Sequence, residues 1–182
     1  MRIRIATADD APGMARIHVD TWRTAYRDIL PADFLDALSY EARTQRWRDN
    51  LAQAGPQQFT LVAQDDSGEV VGFAGGGPER DGTPGYDGEI YAVYVLAQQQ
   101  RRGIGRQLMG VSARHLMDQG FGAAMLWALE ANSRARAFYE ALGGLYIGRK
   151  TKVIADTPQI EVAYGWPDLV LLVSADKAIT TF

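Results

Sequence analysis

Glu89-Ile-Tyr-Ala-Val-Tyr-Val-Leu96, followed by Ala97-Gln-Gln-Gln100-Arg-Arg-Gly103-Ile-Gly105-Arg106, is the stretch on which the reading of this chain turns. Its first eight residues are rich in aromatic and β-branched side chains and read as a strand. From Gly103 to Gln119, Ile104, Leu108, Val111 and Leu116 share one broad helical face, and Gly120 supplies the stop. Ala123 to Leu129 is then a near-continuous apolar run of strand length, as parallel strands covered on both faces are. Strand, helix and strand in that order form a right-handed βαβ crossover, so the two strands are expected to lie parallel.

The connection between strand and helix is built to meet an anion. A helix N-terminus presents unpaired N–H groups and the positive end of the helix dipole. Gly103 and Gly105 allow close backbone approach, and Arg101, Arg102 and Arg106 add charged donors. From Ile90 to Met117 there are four arginines and no acidic residue, in a chain of net charge −3. The P-loop pattern GxxxxGK[ST] is absent, and GxGxxG fails because Leu108 stands at its last glycine. The pattern present is [R/Q]xxGxG, as Gln100-Arg-Arg-Gly103-Ile-Gly105. Read alone, it leaves open a loop tightened by glycine with solvated arginines, or a site for a nucleotide or another phosphorylated ligand.

Outward from this core, Arg2 to Ala6 alternates as a short strand does, and Thr7, Asp9 and Asp10 offer N-caps ahead of Pro12. Met14, Ile17, Trp22, Ala25 and Ile29 then recur at helical spacing up to Pro31. A second helical stretch runs from Pro31 to Leu51 with a break near Ser39, and ends at Gly55-Pro56. Phe59 to Gln64 and Glu69 to Ala74 form a hairpin around Asp65-Asp66-Ser67-Gly68. Gly75 to Gly88, with six glycines and two prolines, reads as a surface loop. Ser133 to Leu142 is a short helix with Ala135, Phe138, Tyr139 and Leu142 on its apolar arc, ended by Gly143-Gly144. Strands are expected at Leu145–Ile154 and Glu161–Leu172. The sum is a mixed α/β fold in one domain spanning residues 1–182.

Composition narrows the chemistry. Apolar residues make up 47% and charged residues 23% of 182, as in an ordinary globular domain. The slight acidic balance argues against a nucleic-acid partner. Zero cysteines exclude a thiolate nucleophile and Cys-based metal sites, and two histidines leave no His-rich metal centre, so no metal is expected. The longest aliphatic run, Leu169 to Val173, is far too short to cross a bilayer, and the N-terminus lacks an apolar signal core, so a cytoplasmic protein without a membrane partner is expected.

Two segments in combination carry a resemblance. The loop with Tyr94-Val95-Leu96 before it, and Leu129-Glu-Ala-Asn132-Ser-Arg-Ala-Arg-Ala-Phe138-Tyr139-Glu-Ala-Leu-Gly143 after the next strand, are similar to the GNAT N-acetyltransferase superfamily. Trp22-Arg-Thr-Ala-Tyr26 and Val162-Ala-Tyr-Gly-Trp-Pro-Asp168 look like one bacterial branch of it, so the likeness spans residues 1–168. It departs at Ala97, where many members have Pro, and at Gly144, where an aromatic commonly follows.

The resemblance implies a mostly antiparallel sheet flanked by helices, in which two parallel strands splay to admit acetyl-CoA as co-substrate. The loop Gln100, Arg101, Arg102, Gly103, Ile104, Gly105 and Arg106 would wrap the pyrophosphate. Backbone groups of Val93, Tyr94 and Val95 would pair with the pantetheine arm, a backbone N–H near Val95 meeting the oxyanion. Tyr139 matches a general acid near the sulfur, against a core tyrosine with a satisfied hydroxyl. Glu89 matches a general base acting through water, against a solvated strand-end carboxylate. Asn132 is a cofactor contact or an N-cap, and Arg134 reaches for the CoA phosphates or is solvated. Trp22 and Tyr26, one helical turn apart, line the acceptor pocket or pack in the core. His18 is a substrate contact or core, and His115 falls on the core face.

Between Asp65 and Glu89 stand seven acidic residues and one basic residue. They form either an acidic mouth favouring a cationic amine or merely a soluble loop. The expected reaction is direct acetyl transfer to a small-molecule or peptide amine. A non-catalytic acyl-CoA sensor is the alternative. The family often dimerises, and Leu169–Val173, read as a strand, is either that interface or core.

Overall fold

The computed structural model describes residues 1–177. The elements are β1 (Arg2–Ile5), α1 (Ala11–Ala25), α2 (Ala32–Asp36), α3 (Tyr40–Ala52), β2 (Phe59–Gln64), β3 (Val70–Pro78), β4 (Gly88–Val95), α4 (Ile104–Asp118), β5 (Ala124–Leu129), α5 (Ser133–Ala141), β6 (Leu145–Ile154), β7 (Thr157–Trp166) and α6 (Leu169–Lys177). The strands form one sheet in the order β1-β2-β3-β4-β5-β7-β6. Every neighbouring pair is antiparallel except β4 and β5, the parallel pair that the crossover demands.

That parallel pair is short. β4 and β5 are in register only at Gly88↔Ala124 and Glu89↔Met125. Beyond Glu89, β4 stays bonded to β3 as far as Gly72↔Val95, and β5 stays bonded to β7 as far as Leu129↔Glu161. A register shift places an extra β4 residue, Tyr91, between the pairs Gly76↔Ile90 and Gly75↔Ala92. Such a bulge bends its strand and raises its twist, and it falls just where β4 leaves β5. The expected splay is therefore present, and the facing edges of the two strands are open.

Alternation along the strands sends side chains to two cores. Ile90, Val95, Leu126, Ala128, Val162, Tyr164 and Trp166 join Ile104, Leu108, Met109 and Leu116 of α4, Tyr139 and Leu142 near α5, and Leu169 and Leu172 of α6. On the other face, Val62, Val70 and Phe73 meet Met14 and Ile17 of α1, with Trp47 of α3 and Tyr94 beside them. Glu89, Met125, Trp127 and Glu161 lie on this second face, where the Glu79–Asp87 loop folds down until the Tyr86 ring covers Gly165.

Two expectations are corrected. Gly75 to Pro78 belong to β3, Gly75, Gly76 and Gly77 buried and Pro78 half-buried, so the surface loop is confined to Glu79–Asp87. The glycines are there because neighbours occupy the space of a side chain. A Cβ on Gly76 would stand 2.8 Å from the Phe59 ring, and one on Gly77 would stand 2.8 Å from the Tyr91 hydroxyl. Leu169–Val173 is the first part of a helix. Strand β7 stops at Trp166, and Asp168 Oδ1 accepts from the Val170 N–H at 2.8 Å to start the new element. Leu169 and Leu172 are buried while Val170 and Leu171 are exposed, the three-residue period of a helix on a core. The second helical stretch breaks near Ser39 as expected, α2 ending at Asp36 and Ser39 Oγ capping α3 through the Ala42 N–H.

Candidate active site

The loop from Leu96 to Gly103 leaves the open end of β4 and enters α4. Gly103 takes the N-cap at φ +83°, a left-handed conformation that a side chain would strain. The Gln107 N–H bonds the Gly103 carbonyl, so the N–H groups of the opening turn point out of the helix end. Gln100 braces the loop, its Nε2 donating to the Val95 carbonyl at 2.8 Å. Arg101, itself at φ +62°, and Arg102 are exposed, and Arg106 is half-buried. Gly105 lies against Phe138, which seats α4 on α5.

The splay brings together groups from both faces. Tyr139 on α5 is buried, its ring among Phe138, Tyr164 and Trp166. Burial, with a smaller contribution from Tyr94, pushes its hydroxyl well above the usual tyrosine range. On the opposite face the Trp22 Nε1 donates to the Tyr94 hydroxyl at 3.1 Å. Trp22 also meets Tyr26 edge-on at 5.1 Å and stacks on His18 at 5.1 Å. The Tyr26 hydroxyl is raised by burial and then by the nearby Tyr94 and Tyr139, and the Asn132 amide stands beside it. Asn132 is also the N-cap of α5, its Oδ1 accepting from the Ala135 N–H at 3.1 Å. Both readings of that residue are compatible with its position. Tyr26, Tyr94, Tyr139 and Asn132 thus converge on the gap between β4 and β5. Arg134 is exposed.

Glu89 is 2% exposed and bound bidentately by Arg80, Nε to Oε2 at 2.9 Å and Nη2 to Oε1 at 2.5 Å. The solvated strand-end reading is thereby excluded. Arg80 in turn lies 4.0 Å over the Tyr91 ring, and the pairing with Glu89 raises its already high pKa. Each Glu89 oxygen keeps a second lone pair for a water or a substrate proton.

The acidic residues between Asp65 and Glu89 each meet a partner. Asp65 holds its own turn, Asp66 pairs with the N-terminus and Glu69 with Arg16. Glu79 accepts from the N–H groups of Asp81, Gly82 and Thr83, and Asp87 caps Gly122 and Ala123. Asp81 pairs with Lys150 and Glu89 with Arg80. All seven carboxylates are engaged locally. His115 lies on the Phe59 ring at 4.7 Å, away from the splay.

A sequence-only reading misses Arg80, Trp127, Lys150 and Glu161, which crowd the face beside Glu89. Only Arg80 leaves a trace in the sequence, as the one cation in an acidic stretch.

A model described as the acetyltransferase (GNAT) family matches residues 17–144. The chain belongs to the GNAT family. An uncharacterised N-acetyltransferase of Bacillus subtilis, YuaI, is 38% identical to this GNAT chain over 170 residues, covering 93% of the chain and 95% of the relative. An L-methionine sulfoximine/L-methionine sulfone acetyltransferase of Pseudomonas aeruginosa is 30% identical over 174 residues, covering 93% and 91%. Among solved structures, YncA of Salmonella typhimurium with acetyl-CoA aligns at TM-score 0.67 and 19% identity over 93% of this chain and 94% of its own. The PaiA N-acetyltransferase of Thermoplasma acidophilum in complex with coenzyme A aligns at 0.69 and 17% identity, over 91% and 98%. This GNAT chain is an acetyl-CoA-dependent N-acetyltransferase.

Proposed function

We propose that the enzyme transfers an acetyl group from acetyl-CoA to the primary amine of a small molecule by direct attack, with both substrates bound together. The observation that carries this is the splay: β4 and β5 part after Glu89, with an arginine-flanked helix N-terminus at one end and a tyrosine cluster at the gap. The open edge from Val93 to Val95 offers backbone groups to an extended pantetheine arm, as an added strand would take them. The first turn of α4, with Arg101, Arg102 and Arg106, suits a pyrophosphate. Acetyl-CoA supplies a carbonyl activated as a thioester.

Glu89 takes the amine proton through a water on its free lone pairs, and Arg80 fixes its orientation. A backbone N–H near Val95 steadies the carbonyl oxygen as charge gathers on it. The Tyr139 hydroxyl holds its proton for the departing sulfur. Burial disfavours a thiolate as strongly as a tyrosinate, so a sulfur leaving into this pocket competes for that proton. The likeness to the methionine sulfone enzyme supports an amine of amino-acid size.

The test is thiol release from acetyl-CoA across a panel of L-methionine sulfone, L-lysine, spermidine and aniline, with wild type and Tyr139→Phe. Wild type is expected to turn over at least one aliphatic amine. Tyr139→Phe is expected to lower kcat more than tenfold, with acetyl-CoA affinity unchanged. An unchanged kcat removes Tyr139 as the acid, and no turnover with intact acetyl-CoA binding would favour an acyl-CoA sensor.

A further inference from the structure

The sheet face beside Glu89 holds two buried polar atoms without a hydrogen-bond partner, Glu161 Oε2 on β7 and Trp127 Nε1 on β5. Leu129 pairs with Glu161 and Trp127 with Ala163, so Glu161 and Trp127 are diagonal neighbours on one face. They sit where β5 has already lost its β4 partner. Glu161 is 7% exposed, so an oxygen left without a partner there is costly. Its other oxygen, Oε1, accepts from Lys152 Nζ at 3.1 Å. Lys150 forms a 3.9 Å ion pair with Oε2, too long for a hydrogen bond, because its ammonium lies 3.9 Å over the Trp127 ring and hydrogen-bonds Asp81. Paired with Leu129, Glu161 lies on the same side of the sheet as Tyr94, which Trp22 meets there.

A buried carboxylate oxygen that accepts nothing forfeits its hydration without recompense. Glu89, on the same face, is different, since both of its oxygens accept from Arg80. Of these two carboxylates, Glu161 alone has an oxygen, Oε2, that accepts no hydrogen bond at all.

We propose that Glu161 is the docking point of the acceptor, its Oε2 accepting an N–H from the substrate's ammonium ion while Trp127 Nε1 donates to an oxygen on the same molecule. This rests on the acetyl-transfer reading and narrows the acceptor to an aliphatic amine that arrives protonated and carries a hydrogen-bond acceptor nearby. An aromatic amine, neutral at pH 7, offers no ammonium to Glu161 and is excluded. Glu161 binds the acceptor; Lys152 holds the carboxylate, and Lys150, kept on Trp127 and Asp81, leaves Oε2 open.

Glu161→Gln keeps the shape and removes the charge. In the full chain it is expected to raise KM for the aliphatic amine turned over by wild type at least tenfold, with kcat within threefold, acetyl-CoA affinity unchanged and the melting temperature preserved. An unchanged KM overturns the proposal, as does efficient acetylation of aniline. A second measurement does not depend on turnover. In the wild-type chain with CoA, protonated ethanolamine is expected to shift the Trp127 indole 15N–1H resonance, assigned with Trp127→Phe, and Glu161→Gln is expected to abolish that shift. If wild type shows no shift, or Glu161→Gln shows the same one, the subsite is refuted even where acetyl transfer stands. A shift without turnover of any amine supports the subsite while the acetyl-transfer reading fails.

Discussion

His18 sits between α1 and α3 with neither ring nitrogen hydrogen-bonded, stacked on Trp22 and within 5.1 Å of the Tyr94 ring. Burial, and then the charges of Arg43 and Arg46, lower its pKa to about 3. The unfolded chain takes up a proton on this side chain near pH 6.5, whereas the folded chain does not until about pH 3. Between those values the unfolded state binds more protons, so stability is lost as pH falls. From pH 7 to pH 5 this one group should remove about 2 kcal/mol. Urea melts of His18→Phe at the two pH values are expected to show a smaller acid loss than wild type by about that amount; equal losses would mean His18 titrates normally. The same scale shows what a sequence can and cannot reveal. Trp22 and His18 were legible as one helical face. Arg80, nine residues from Glu89, was not, because its guanidinium is delivered by a loop whose path no periodicity encodes. Glu161 is hidden similarly. It follows Ile160, which is partly exposed, and its depth depends on β7 lying between β5 and β6.

Elements were legible where their period was unambiguous. The α4 repeat, the apolar β5 run and the Gly143 stop of α5 all read directly. Readings failed where residue type and local role diverge. The glycines of β3 resemble loop glycines until Phe59 and Tyr91 are seen filling their side-chain space. Gly144 is a related case. A Cβ there would come within 2.8 Å of Trp166 and 2.9 Å of the Tyr139 carbonyl, so Trp166 fills space that a side chain at 144 would take. At the α4 cap the demand is conformational as well as electrostatic. Gly103→Glu places a carboxylate at the proposed phosphate site and forces a side chain into φ +83°. It is expected to weaken acetyl-CoA at least a hundredfold, whereas Gly103→Ala, which carries the strain alone, is expected to lose less than tenfold. Equal losses in calorimetric titrations would assign the effect to strain rather than to the anion site.

For the whole molecule, the proposed function rests on one interrupted ladder. A sheet closed along its full length would separate the α4 face from the α1 face. In the proposed site, loss of β4–β5 pairing after Glu89 lets the helix N-terminus on one side and the Trp22 and Tyr94 face on the other address a common gap. The Glu79–Asp87 loop then delivers Arg80 and Asp81 onto that second face. The crossover topology was predictable from the strand–helix–strand order; the two-residue length of the pairing, ending just before the bulge at Tyr91, was not. The most direct test is calorimetric titration of the whole chain with acetyl-CoA, run in parallel with ATP. Micromolar, one-to-one binding of acetyl-CoA with no heat from ATP is the predicted result. ATP binding as tightly as acetyl-CoA, or no acetyl-CoA binding at all, would contradict an acetyl-CoA site at the splay.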